Sequence, residues 1–149
     1  MNTSLDFCMA LQGAHASLQG KLDFELGLHH GIGFADFVLL DAIDRADGGR
    51  LGTAQLVRPL GQTRSSVLRQ VIVLEKIGLV AREDGHGGRQ VALRPAGRGV
   101  LQGARETAGY ICNEAFASLT PTALTDAGAA LAVIGNTPAL SLAINPCCK

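Results

Sequence analysis

The sequence lacks most of the features that would assign it a chemistry. Nowhere in its 149 residues does an uninterrupted apolar run approach the ~20 residues that span a bilayer, and Asp6 interrupts the start before it can form a signal-peptide core. A cytoplasmic chain with no membrane partner is therefore expected. Cysteine is scarce, and Cys8, Cys112, Cys147 and Cys148 match neither a zinc-ribbon nor a disulfide-scaffold spacing, so reduced thiols are expected. There is no glycine-rich phosphate loop, no GxSxG, no HExxH and no pair of carboxylates on one helical face. Neither an enzyme nor a cofactor is expected. His15, His29, His30 and Asp36 make no metal site by spacing: the neighbours His29 and His30 point apart on a helix, whereas structural zinc wants four convergent ligands. Internal repeats and low-complexity tracts are also missing.

Net charge is missing only on average. The formal charge is zero, yet residues 45–98 hold ten basic side chains (nine Arg and Lys76) against four acidic ones, a balance of +6. The remainder holds three basic against nine acidic residues, a balance of −6. A basic lobe beside an acidic remainder is the footprint of a surface that meets phosphates, although solvated charges can also fall this way by chance.

The centre of that basic stretch is LGQTRSSVLRQVIVLEKIGLVAR. Gly61 and Gln62 end a short amphipathic segment, Thr63 is placed to accept from a freed amide at the next helix start, and Val67, Val71 and Leu74 recur at helical spacing. At about 100° per residue these three point one way, while Ser65, Arg69, Ile72 and Lys76 point the other. Gly78 stops the helix. LVAR and QVALR then read as two short strands, with EDGHGG as the turn that brings Arg89 near a hairpin tip. Helix, turn, helix and a two-stranded wing describe a winged DNA-binding module, α+β in class and mainly α with a small β wing.

The motif GQTRSSVLRQVIVLEKIGLVAR resembles the MarR family of transcriptional regulators, in its small-residue turn, Arg-Ser-Ser-Val, Leu-Glu, Gly-Leu-Val and closing Arg. The resemblance covers roughly residues 5 to 135. It departs from the family where Ile72 and Val73 replace a frequent Asp-Arg, where Gly87 replaces the Asp that braces the wing arginine, and where Arg94 replaces a Thr before the next helix. It implies a single unit over 1–149: a winged helix-turn-helix lobe at 34–94, dimerisation helices at 4–28 and 95–135, and a tail at 136–149. It also implies a DNA-binding regulator, a homodimeric repressor released from a double-stranded operator by a small ligand or an oxidant. A winged-helix dimer kept for protein interaction without specific DNA binding is the alternative, favoured by the Ile72-Val73 pair.

Taken in order, Cys8, Leu11, His15, Leu18 and Leu22 repeat at steps of three and four and predict a helix over 4–28 with a narrow apolar stripe. Gly27, Gly31 and Gly33 break it, and FADFVLLDAIDRA restarts a helix with Phe34, Phe37, Val38 and Ile43 inward. Arg50 to Gly52 can pair as a third wing strand, and Thr53 can cap the helix AQLVRPL, where Pro59 forces a kink at Arg58 or a 3₁₀ finish. Pro95 suits a helix start. Leu101, Ala104, Ala108, Ile111, Cys112, Ala115 and Phe116 then trace one face of a long helix, and Thr120-Pro121 opens another with Leu124, Ala127, Leu131 and Ile134 along its stripe. These stripes exceed what one such chain can bury, which predicts a dimer.

Arg64, Ser65, Ser66, Arg69, Lys76 and Arg89 are the candidate DNA-binding residues. Arg69 and Ser65 are assigned to the major groove, Arg64 to phosphate and Arg89 to the minor groove. Ile72 and Val73 either meet thymine methyls or pack under the wing. LDFCMAL resembles the start of the family's organic-hydroperoxide sensors, which implies a reactive Cys8 with Cys112 as a resolving thiol. The nearby aromatics Phe24, Phe34 and Phe37 lack the hydroxyl those sensors use. Cys8 also lies on the apolar stripe, where cysteine acts as a small hydrophobe.

Overall fold

Asn2 opens the first helix, its side chain accepting from the Leu5 amide at 3.4 Å, and α1 then runs from Thr3 to His30. In this computed structural model residues 2–135 are described; the tail expected at 136–149, with Cys147 and Cys148, lies outside the described residues. Gly27 does not interrupt α1. Gly31 does, in the left-handed conformation at φ 69°, with its amide donating to the Gly27 carbonyl. The Phe34 amide then donates to Asp23 Oδ1 at 2.7 Å, and α2 (Phe34–Arg45) leaves α1 at a bend of 78°.

A 3₁₀ turn at Asp47–Gly49 leads into β1 (Arg50–Gly52) and α3 (Thr53–Leu60). Thr53 is not the cap of α3 but its first residue. Gly52 holds the cap position, and the Gln55 side chain reaches back to accept from the Gly52 amide at 2.9 Å. Pro59 sits in the last turn, and the Gly61 amide bonds the Arg58 carbonyl, the i to i+3 pattern of the expected 3₁₀ finish. Helix α4 (Arg64–Lys76) follows, then β2 (Val80–Gly85) and β3 (Gly88–Leu93). The strands run further into EDGHGG than expected, leaving only His86 and Gly87 to turn, because Gly87 and Gly88 both accept positive φ there. The sheet is antiparallel in the order β1-β3-β2, so Arg50–Gly52 does supply the third strand.

One core unites these elements. Leu39, Leu40 and Ile43 of α2, Leu56 of α3, Val67, Val71 and Leu74 of α4, and Leu101 and Ala104 of α5 (Pro95–Ala115) are all buried, with Leu22 and Leu26 of α1 above them. Each buried aliphatic chain contributes about 1.5–3 kcal/mol relative to exposure. Phe34, Phe37 and Val38, expected inward, are half-buried at the rim; the two rings stack at 6.1 Å, because α2 presents Leu39 and Leu40 to the centre instead. Arg105 of α5 grips α2 through Asp41 Oδ1 at 2.7 Å and Asp44 Oδ2 at 2.8 Å, and these carboxylates raise the arginine's pKa; contrary to expectation, α2 thus does carry two carboxylates on one face, engaged by an arginine.

Helix α6 (Pro121–Gly135) begins as expected, Thr120 Oγ1 accepting from the Ala123 amide at 3.2 Å, yet it buries no residue. The end of α5, with Ala115 and Phe116, is exposed too, and so are Leu5, Phe7, Met9 and Leu11 of α1. No single helix among the described residues is long and apolar enough to cross a membrane.

Candidate nucleic-acid interface

Helix α4 starts where Thr63, in extended conformation, accepts from the Ser66 amide at 3.2 Å. Gly61 before it and Gly78 after it are both left-handed, at φ 59° and 82°, so the helix is bounded by residues that alone turn cheaply at those angles. Its buried stripe of Val67, Val71 and Leu74 fixes its rotation against the core. Arg64, Ser65, Arg69 and Lys76 consequently stand exposed on the outer face, with Ser66 half-buried beside them. The side chains of Arg64, Arg69 and Lys76 make no ion pair or hydrogen bond with any other described residue. That contrasts with Arg45, Arg50, Arg82, Arg89 and Arg105, each of which faces a carboxylate. Gln70, lower on the helix, ties it to α2 by donating to Asp36 Oδ1 at 2.7 Å.

The wing is joined to α4 by one pair. Arg82 Nε donates to Glu75 Oε2 at 2.8 Å while the Arg82 amide lies 3.4 Å from Glu75 Oε1. The hydrogen bond from Arg82 holds the Glu75 carboxyl below the ordinary glutamate range. At the wing tip, Arg89 lies directly across the ladder from Asp84, with Nε 3.6 Å from Oδ1, and remains 66% exposed. Asp84 thus puts a carboxylate beside Arg89 where Gly87 offers none. Gly87 itself has φ 96°, where an aspartate would be strained. Sequence reading missed both Asp84 and the Glu75–Arg82 pair, since neither follows from helical spacing; the strand register that pairs residues 84 and 89 was the available signal.

The other candidates are not gathered here. Cys8 is exposed on the uncovered half of α1, Cys112 is half-buried on α5, and both are free thiols. Between the C-terminal half of α1 and α5 opens a cavity of about 930 Å³, walled by Phe24, Tyr110 and Ile111 and carrying Glu25, Glu106 and Glu114. Tyr110 donates its hydroxyl to Glu114 Oε1 at 3.0 Å, and that bond raises the phenol's pKa. His30 Nε2 lies 2.8 Å from Thr107 Oγ1 at the same seam. Among the described residues no group of three or more His, Cys, Asp or Glu is arranged to hold a metal ion.

No family model matches the sequence, and no curated protein matches it. Solved structures do match. Sco3205, a MarR family transcriptional regulator from Streptomyces coelicolor determined in complex with DNA, aligns at TM-score 0.81 and 25% identity over 93% of this chain and 94% of its own. The chain has the MarR fold. The transcriptional regulator BldR from Sulfolobus solfataricus aligns at TM-score 0.80 and 20% identity, over 91% of this chain and 97% of its own. A mutant MarR from E. coli complexed with operator DNA aligns at 0.76 and 18%, over 89% and 96%. In this MarR fold the helix-turn-helix is α3 and α4, and the wing is β2 and β3 with β1 as the third strand.

Proposed function

We propose that the chain is a homodimeric DNA-binding transcriptional regulator, acting as a repressor, with residues 34–94 on the operator and residues 4–28 and 95–135 joining two copies. The observation that carries the reading is the row of unpaired cations on α4, Arg64, Arg69 and Lys76, beside a wing whose Arg89 is aimed by Asp84. Holding charges exposed and unpaired brings a folded chain nothing, whereas each phosphate they neutralise releases counterions. Arg69 and Ser65 read base edges, Arg64, Ser66 and Lys76 hold the backbone, and Arg89 enters the minor groove. DNA-bound neighbours of the same fold support the DNA-binding reading.

The uncovered apolar residues of α1 and α6 support the dimer, since a second copy would remove them from water. Release is assigned to a small ligand in the α1–α5 cavity or to oxidation at Cys8, with Cys112 as the resolving thiol. Both sites lie on the helices that set the spacing of the two recognition helices. A second reading, a protein-interaction module, draws on the exposed apolar Val73 of α4 and Ile77 just beyond its end. Selection from a random pool of DNA duplexes separates the two. Enrichment of a near-palindromic site, with an affinity falling steeply as salt rises, supports the regulator, and a pool that never departs from random refutes it.

A further inference from the structure

Helix α4 carries a feature that cations do not explain. Leu68, Val73 and Ile77 are 40%, 57% and 56% exposed on a helix whose outer face otherwise carries Ser65, Arg69 and Lys76. Their directions differ. At about 100° per residue, Leu68 lies on the side that Glu75 shares with the wing, whereas Ile72, about 20° from Ser65, and Val73, about 40° from Arg69, flank the outward face on either side. The two members of the Ile72-Val73 pair differ in exposure: Ile72 is half-buried, and Val73 is the one left open beside Arg69.

We propose that Val73 reads a 5-methyl group on a pyrimidine, that of thymine, in the major groove of the bound duplex, so that each operator half-site carries a thymine beside the base read by Arg69. The inference rests on the DNA-binding reading above and deepens it. Major-groove edges offer one apolar group, the C5-methyl of thymine, and a valine tip is an apolar surface of matching size. The flanking charges commit the occupant: a protein groove accepting Val73 would also have to accommodate the unpaired Arg69 and Lys76, while DNA supplies acceptors for both. Spacing fixes the place. Four residues of helix advance about 6 Å, so the methyl lies within about two base pairs of the base that Arg69 contacts. Burying one such methyl is worth about fourfold in affinity.

The test replaces thymine by deoxyuridine, which deletes the methyl and keeps every hydrogen-bonding edge, at each position of the duplex selected above, one position at a time. The expected result is one sensitive thymine per half-site, near the base whose change is best tolerated by Arg69→Ala, with about fourfold weaker binding by the wild type. Val73→Ala is expected to bind thymine and uracil duplexes equally. Wild-type protein that binds a selected duplex yet ignores every uracil substitution overturns the inference and leaves the DNA-binding reading standing. Val73→Ala that loses as much as wild type assigns the methyl to another contact and overturns it too. Failure of any duplex to be selected overturns both.

Discussion

Gly97 and Gly99, two residues apart near the start of α5, are expected to respond to alanine with opposite sign. A Cβ on Gly97 would land far inside van der Waals contact distance of the Leu79 carbonyl oxygen and 3.0 Å from its carbon, both of them backbone. That carbonyl also accepts the Arg94 amide at 2.9 Å, the bond that ties the start of α5 to the residue leading into β2. To admit the methyl, α5 must retreat by roughly 1 Å or more, stretching this bond and unpacking buried Leu79. Overpacking of this kind costs about 1–3 kcal/mol and a lost hydrogen bond about 1 more, so Gly97→Ala should destabilise by about 2–4 kcal/mol. The gain in helix propensity, at most about 1 kcal/mol, does not offset that. Gly99 meets nothing within 4 Å, so Gly99→Ala should be neutral or stabilise by up to about 1 kcal/mol. Urea unfolding followed by circular dichroism, at one protein concentration, measures both. Equal midpoints for Gly97→Ala and wild type would refute the close approach.

Arg69→Ala should weaken binding to a selected duplex by about 1–3 kcal/mol while leaving the dimer intact, measured by fluorescence anisotropy. Arg89→Ala should weaken chiefly sites flanked by A·T pairs, and Asp84→Asn should do so more mildly; uniform loss across flanks would count against minor-groove insertion. Glu75 has its pKa lowered by Arg82, so the pair's stabilisation of the wing is complete above the ordinary glutamate range and is lost as pH falls through the depressed value. Protection of the β2 amides, taken relative to intrinsic exchange at each pH, should therefore fall at acid pH in wild type and lose that pH dependence in Glu75→Gln. Cys8→Ser should bind the duplex normally and keep it under peroxide, and a serine variant that still releases it would place the effector elsewhere.

What was legible in the chain was what local physics dictates. Thr63, Gly61, Gly78 and the Val67, Val71, Leu74 stripe define α4 because a cap, two left-handed stops and a helical period each act within a few residues. Where two local solutions competed, the reading erred: Gln55 reaching back to the Gly52 amide set the start of α3 one residue before a Thr53 cap, since a long side chain in the first turn can satisfy an amide ahead of the helix. Phe34 and Phe37 looked inward by period, but the 78° turn from α1 gave the centre to Leu39 and Leu40. Asp84 beside Arg89 and Leu79 beneath Gly97 depend on strand register and on helix docking, which no single stretch of sequence contains.

The central claim is that two copies of this chain together hold one DNA site through α4 and the wing. Sedimentation of the protein alone and with a selected duplex tests it most directly. The account predicts a dimer at micromolar concentration without DNA, a single complex of two protomers per duplex, and weakening of that complex but not of the dimer in Arg69→Ala. A folded monomer that stays monomeric, or a complex with one protomer per duplex, would contradict it.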